Sequence, residues 1–453
     1  MQFLHLHPLS ILLYSHTLIP KLQPMKSRRH FIQKLSAFTG ASLLPSLKAL
    51  SADNLLTISQ LSSNKTPQEL ATDEDYWYQI QQAYTVSPQI INLNNGGVSP
   101  APLVVQNAVE RYGKFANEAP SYFMWRILDQ GREPLRENLA KYAGVSPEEI
   151  AINRNATEAL DTIILGLPLQ RGDEIVMTRY DYPNMLHAYR QRELREGLKI
   201  NYVELDLPAE DNNLIVKKFV EQMTPKTKVV HITHIINWNG QILPAKRIAD
   251  EAHKRGIEVV IDGAHSFAHL EYKIPDLGGD YYGTSLHKWL SAPIGTGMLW
   301  MKKEKISKVF PLIPNDKPNS DNIRKFENLG TRPFMIEQAI GQALNFQLAI
   351  GNARKEARLR YLKNYWAKEA VSNIPKFKLN TSLKQEFSGA LAHFGIEGLE
   401  GGKIEGELLG KFKIHTSPVK WEKLDGVRVT PHVYTTLNDL DRLLDGIKHV
   451  AKT

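Results

Sequence analysis

The chain has 453 residues, 42% hydrophobic and 23% charged, enough to bury a large core without disulfide or metal staples. Of its formal charge of +8, six charges lie in residues 1–52, which contain no acid; this leaves +2 for the rest and removes the main support for nucleic-acid binding. With no cysteine, disulfides, thiolate metal sites and cysteine nucleophiles are excluded.

Residues 1–24 are apolar but broken by Pro8, Pro20 and Pro24, too interrupted for a stable membrane span. Met25-Lys26-Ser27-Arg28-Arg29-His30-Phe31-Ile32 resembles the opening of a twin-arginine export signal, with an apolar run over 35–50 and small residues for cleavage near Ala49–Ala52. Residues 1–52 are therefore expected to be a signal extension that directs the protein to the periplasm; otherwise it stays in the cytoplasm. Residues 53–72 are polar and mixed and read as a linker.

From Asp73, the spacing of Tyr76, Trp77, Ile80 and Ala83 predicts a helix. A short strand at 90–93 enters Asn94-Asn95-Gly96-Gly97, a turn whose glycines allow close approach to a ligand, followed by a helix over 104–115. An amphipathic helix over 132–143 ends near Gly144. A strand at 150–152 leads into Asn153-Arg154-Asn155-Ala156-Thr157-Glu158, which opens an apolar helix. The free N–H groups of that first turn suit a phosphate, although the same pattern serves as an ordinary N-cap. Strands and helices then alternate: strand 174–178, helix to 195, strand 200–204, helix 217–223, strand 228–236, helix 244–255 and strand 258–261, ending on Asp262. Such alternation predicts an α/β protein with a mostly parallel sheet wrapped by helices. Ligands of these sheets sit beyond the carboxyl ends of the strands. Asn155, Tyr182, Asn237, Asp262 and His265 fall there. His231 and His234 are not a metal pair, because a spacing of three in a strand puts them on opposite faces. A helix over 334–350 is expected to run on through Lys368. The large domain spans 73–345, and 346–453 reads as a smaller α+β domain.

The run Ser285-Leu286-His287-Lys288-Trp289 holds a lysine among small and apolar residues. Burial lowers a lysine's pKa, and a neutral amine can form a Schiff base with a carbonyl cofactor. Pyridoxal 5′-phosphate (PLP) also needs a carboxylate for its pyridine nitrogen, a phosphate cradle and a group over its ring. Asp262, at the end of an apolar strand, is costly to bury without such a partner. No Gly-x-Gly-x-x-Gly follows an early strand, which argues against a dinucleotide-binding oxidoreductase.

Five motifs follow one another over residues 90–445: Asn155-Ala156-Thr157-Glu158-Ala159, Asp262-Gly263-Ala264-His265, Ser285-Leu286-His287-Lys288-Trp289, Gly330-Thr331, and Arg428-Val429-Thr430-Pro431-His432-Val433-Tyr434. In this order they resemble the class V aminotransferase superfamily of fold-type I PLP enzymes, and within it the isopenicillin N epimerase-like branch. The resemblance implies a mostly parallel seven-stranded-type sheet and a smaller C-terminal α+β domain. It implies PLP as cofactor, with Lys288 as the Schiff-base lysine and Asp262 as partner of the pyridine nitrogen. Asn237 and His265 match residues near the cofactor's phenolic oxygen, and Ala156, Thr157, Ser285 and His287 match the phosphate cradle. Thr331 matches a position that reaches the phosphate of a neighbouring subunit, which implies a homodimer with shared sites. Arg428 matches the arginine that holds the substrate carboxylate, and Asn95 and Gly96 match the substrate-side loop. Tyr182 is the candidate for stacking on the ring, with Asp181 the alternative. The implied activity is epimerisation at the α-carbon of a small amino-acid or peptide-like substrate. An aminotransferase or a carbon–sulfur lyase is the alternative, and a non-catalytic amino-acid-binding protein the reading outside enzymes. A cysteine desulfurase is not expected, since no thiolate is present to accept sulfur.

Overall fold

The computed structural model describes residues 64–452, so the export-signal reading of residues 1–52 lies outside the described residues. Residues 67–71, expected in the linker, instead form a helix, Pro67–Ala71. Thr66 and Glu69 cap its start reciprocally. Leu70 is buried, and its carbonyl accepts the Trp77 indole N–H at 2.7 Å, so this segment is docked.

In chain order the first strands are β1 (Ile91–Asn92), β2 (Ile150–Asn153), β3 (Glu174–Thr178), β4 (Lys199–Val203), β5 (Thr227–Thr233), β6 (Glu258–Asp262), β7 (Tyr281–Ser285) and β8 (Gly297–Met301). Seven of them form one sheet in the order β2-β8-β7-β6-β5-β3-β4. β8 runs antiparallel to both neighbours; the other pairings are parallel. Alternate residues feed two separate cores, as the period of a strand requires. Val176, Val230, Ile232, Val259 and Ile261 enter one, with the helices Arg132–Ala143, Ala245–His253 and Phe334–Ile350. Ile175, Met177, Val229 and Val260 enter the other, with the helices Ala156–Gly166 and Pro183–Glu196. Both faces being covered explains why these strands read as continuous apolar runs.

The remaining strands are β9 (Phe377–Leu379), β10 (Ala392–Ile396), β11 (Ile414–His415), β12 (Ser417–Trp421) and β13 (Leu424–Val429). An antiparallel sheet of order β12-β13-β10-β9 packs with the helices Asn352–Asn373, Gly401–Phe412 and Leu437–Val450 around a third core. β1 pairs parallel with β11, and Asn94 bridges to Thr430, so the residues before the first glycine turn lie against this C-terminal layer.

Three boundaries differ from the sequence reading. The helix Phe334–Ile350 does not run on: Gly351, at φ +87°, breaks it, and Asn352–Asn373 starts anew. The helix expected over 217–223 begins at Asn212, where the Asp211 carboxylate accepts from Asn213 N at 2.8 Å. β5 stops at Thr233, and Ile235 pairs instead with Ile242.

Candidate active site

The carboxyl ends of β2, β3, β5, β6 and β7 bring Asn153, Thr178, Thr233, Asp262 and Ser285 to one edge of the sheet. A cavity of about 390 Å³ opens there. Lys288, Asp262, His265, Asn237, Tyr182, Ala156, Thr157, Ser285, His287, Gly96 and Arg428 all line it.

Lys288 sits in the turn between β7 and β8, which is pinned by Ser291 N on the Lys288 carbonyl at 3.2 Å and by the Ser99 hydroxyl on the same carbonyl. Its Nζ lies 3.3 Å from His265 Nε2 and 6.0 Å from the centre of the Tyr182 ring. Asp262 ends β6, buried, with Oδ1 accepting from Ala264 N at 2.8 Å. The first turn of the helix Ala156–Gly166 comes close because Ala156 N donates to Ser285 Oγ at 2.9 Å. Gly297 makes that approach possible: a Cβ there would lie 2.6 Å from Asn155 N and Cα. Asn155 Oδ1 caps Glu158 N at 2.8 Å, which leaves the intervening Thr157 N–H at the cavity edge. His287 is held by Nδ1 on the Thr296 carbonyl at 3.0 Å.

Arg428 reaches the cavity from β13. Its Nη1 donates to the Asn237 carbonyl at 2.9 Å and its Nη2 to Asn94 Oδ1 at 2.8 Å, which fixes the guanidinium plane. Asn94 was not singled out in the sequence; its neighbour Asn95 was, and here the structure corrects the reading. Asn95 does not line the cavity. Its Nδ2 donates to the Thr430 carbonyl at 2.8 Å and its Oδ1 accepts from Tyr434 Oη at 2.6 Å, so its side chain is spent on holding the turn. Thr331 is exposed and lies outside the cavity. Between Tyr182 and Asp181, only Tyr182 lines it. Asp181 is fully buried, accepting from Thr178 N at 2.8 Å and from the Thr233 hydroxyl, and burial pushes its carboxyl up to about 7. Trp238, stacked on Trp421 at 4.8 Å, also borders the cavity. Its place beside Asn237 was the only signal for it. Among the described residues, no group of three or more His, Cys, Asp or Glu is placed to hold a metal.

A family model described as Aminotransferase class-V matches residues 91–443. The chain belongs to the class V aminotransferase family. This class V chain is 28% identical to isopenicillin N epimerase of Amycolatopsis lactamdurans over 397 residues, covering 83% of this chain and 99% of that one. It is 22% identical to cysteine desulfurase of Haloferax volcanii over 385 residues, covering 79% and 88%. Its fold is shared with a cysteine desulfurase from Thermococcus onnurineus NA1, with a TM-score of 0.73, 21% identity and coverage of 83% and 98%. Relatives that carry the name desulfurase show that a missing cysteine marks no boundary of the family. It only removes a thiolate from this chain's own chemistry.

Membership of the class V family carries PLP as cofactor, and the cavity fits it. Asp262 offers a buried carboxylate that, among the described residues, accepts a hydrogen bond from Ala264 N alone. The helix start at Ala156–Thr157, with Ser285 and His287, offers a phosphate site. Asn237 Oδ1 and His265 Nδ1 are buried polar atoms without partners among the described residues, each costly unless a ligand meets it.

Electrostatics sets the lysine. Burial pulls the Lys288 ammonium down to about 8; Asp262 opposes the shift and Arg428 adds to it. Roughly a tenth of the amine is then neutral at pH 7, against fewer than about one in a thousand for an ordinary lysine. The rate at which the cofactor-free class V chain takes up PLP at Lys288 is therefore expected to rise with pH, half-maximal near pH 8. Borohydride trapping with peptide mapping reads this out. Lys355 is buried as well, but it is tied to the Trp289 carbonyl and to Gln347 Oε1 and lines no part of the cavity, so its peptide should stay unlabelled. A rate that is flat from pH 6 to 9 would show that the neutral amine is not what limits uptake.

Proposed function

We propose that this protein is a PLP-dependent enzyme, isopenicillin N epimerase-like, that removes and returns the α-proton of an amino acid or small peptide-like substrate. One observation carries the reading: the half-buried Lys288 amine, 3.3 Å from His265 Nε2, shares one cavity with Asp262 and Arg428. When bound, PLP supplies the electron sink that makes an α-proton acidic. Asp262 contributes the negative charge that keeps a pyridine nitrogen protonated. Arg428, clamped by Asn237 and Asn94, binds the substrate carboxylate through its free N–H groups. Lys288 Nζ takes the α-proton, and its lowered pKa suits a base near neutral pH. His265 lies within reach of that amine and orients it. Tyr182 covers one side of the cavity with an aromatic face.

The test is incubation of the PLP-loaded protein with single enantiomers of amino acids in deuterated water. Exchange of the α-proton for deuterium is expected, and the epimer forms when the deuteron is returned from solvent to the face opposite Lys288 Nζ. Accumulation of a keto acid would point to transamination, and loss of a β-substituent to elimination. No exchange with any substrate would sink the enzymatic reading.

Two further proposals concern assembly and location. A homodimer with shared sites is supported by Thr331 lying beside an exposed aromatic face. There Trp125 packs 5.1 Å from Phe334, Arg332 stacks 4.2 Å over Phe334, and Tyr122 and Trp125 remain 58% and 39% exposed. Light scattering is expected to give twice the mass of one chain; the mass of a single chain would refute it. Periplasmic export by the twin-arginine route rests on Arg28-Arg29 and the apolar run after them. A reporter fused to residues 1–52 should be exported, and Arg28→Lys with Arg29→Lys should retain it inside.

A further inference from the structure

Epimerisation returns a proton to the face of the α-carbon opposite the one that lost it, so the cavity must hold an acid across from Lys288. Among the described residues six titratable side chains line it: Tyr182, Asp262, His265, His287, Lys288 and Arg428. Five are accounted for. Lys288 Nζ marks one face, and His265 Nε2 lies beside it at 3.3 Å, on a ring that burial keeps neutral. Asp262 serves a pyridine nitrogen in the function proposed above. His287 Nδ1 donates to the Thr296 carbonyl at 3.0 Å, and burial pulls that ring down to about 4, so Nε2 bears no proton near neutral pH. Arg428 is clamped by the Asn237 carbonyl and Asn94 Oδ1, and a guanidinium does not give up its proton in a protein.

Tyr182 remains. Its backbone is fixed where the loop after β3 enters the helix Pro183–Glu196, with its carbonyl accepting from Met185 N at 2.9 Å. Lys288 Nζ stands over the face of its ring, 6.0 Å from the centre. A flat group laid on that ring at a carbon contact distance of about 3.5 Å occupies this gap, with the phenol on one side and the amine on the other. The phenol also acts on the arginine at the substrate end: burial pulls the Arg428 guanidinium down to about 10, and Tyr182 is the ionisable group that opposes the shift. The α-carbon of an amino acid adjoins the carboxylate that Arg428 would hold. Tyr182 is 40% exposed, so water can restore a proton it gives away. No hydrogen bond ties up its Oη among the described residues.

We propose that Tyr182 is the second catalytic residue of this site, the acid that protonates the α-carbon from the face opposite Lys288. The proposal rests on the function proposed above. Lys288 Nζ takes the α-proton, and the electron pair of the broken C–H bond stays with the carbon. Tyr182 Oη releases its proton, which forms the new C–H bond with that pair on the other face. The phenolate then regains a proton from water, and the Lys288 ammonium passes its own to water, so no oxidant or further reactant is needed.

The test compares the PLP-loaded wild type with Tyr182→Phe, which keeps the aromatic face and removes only the hydroxyl. The L-enantiomers of the protein amino acids are incubated in deuterated water. Chiral chromatography with mass spectrometry separates α-deuterium in the recovered L form from that in the D form. In Tyr182→Phe the D form is expected to appear at least about 100-fold more slowly, the contribution of a positioned acid, while exchange within the L form falls by less than about tenfold. PLP affinity, from calorimetric titration, should shift by less than about threefold, since the stacking face is intact. In ordinary water an α-deuterated L substrate should give a D product that carries protium alone, because the proton that returns is not the one removed. Equal slowing of exchange and inversion, with or without weaker PLP binding, would make Tyr182 only a wall of the cavity. Undiminished inversion would assign the returning proton to water or another group, and deuterium kept in the D product would assign both steps to Lys288. Each of these overturns the proposal and leaves the proposed function standing. Wild type that exchanges nothing removes the proposed function, and the role of Tyr182 with it.

Discussion

Replacing Lys288 with alanine is expected to lower α-proton exchange by about 10⁴-fold, the upper end of what a positioned general base contributes. The same change should abolish the borohydride-sensitive visible band of the PLP-loaded protein. Among the described residues Lys288 is the one lysine lining the cavity, and its Nζ lies 3.3 Å from His265 Nε2. Lys288→Arg separates charge from proton transfer. Arginine keeps the positive charge beside Asp262 but cannot give up its proton, so exchange should remain lost. Proton NMR in deuterated water checks both variants. Residual exchange within tenfold of wild type would assign the base to another residue.

The second large effect is expected at Asp262. Its carboxyl is pushed above the usual range by burial, with the Ala264 N–H and the Lys288 charge pulling the other way. A carboxyl raised in the folded state contributes stability at acid pH. That contribution is lost as pH rises through its raised value, because the folded protein binds more protons than the unfolded one across that window. Above that raised value the free protein carries a buried carboxylate that the Ala264 N–H and the Lys288 charge only partly offset. Asp262→Asn keeps an oxygen for Ala264 N and removes that charge, so the cofactor-free variant should melt at or above wild type. PLP affinity should move the other way. Removing one partner of a buried ion pair costs about 3–5 kcal/mol, so affinity should fall by at least about 100-fold. Calorimetric melting with and without PLP measures both. A variant that melts lower when free and keeps its affinity would make Asp262 only a local brace for Ala264.

These expectations depend on residues that were legible for different reasons. Asp262 and Lys288 could be read because an acid ending an apolar strand and a lysine among small residues both violate ordinary burial preference. The sheet was legible because Ile175, Val230 and Val259 belong to strands buried on both faces and so give uninterrupted apolar runs. Asn94 and Asn95 were not separable. Two identical side chains in one turn diverge by backbone direction alone, and only the fold shows that Tyr434 and Thr430 consume Asn95 while Arg428 takes Asn94. The break at Gly351 was marked by its glycine, but the charged residues after it continue a helical spacing and hid the stop. The helix Pro67–Ala71 was announced by Thr66 and Glu69, a spacing masked by the polar composition around it. Thr331 had no local pattern that fixes its neighbours, and its reading came from resemblance alone.

The pairing of β1 with the C-terminal layer has a consequence in time. The Asn95 amide is held by the Thr430 carbonyl, 335 positions later in the chain. During synthesis the segment that borders the Lys288 cavity must wait, unpartnered, until nearly the whole polypeptide has left the ribosome. Closing so long a loop is entropically unfavourable until the distant contacts form. The seven-stranded sheet, with Lys288 and Asp262, is complete on the nascent chain well before Arg428 emerges. A chain released before β13 would thus carry the reactive amine and no clamp for a carboxylate. Assembly of this cavity is ordered by translation itself: Lys288 and Asp262 are made first, and Arg428 is made last.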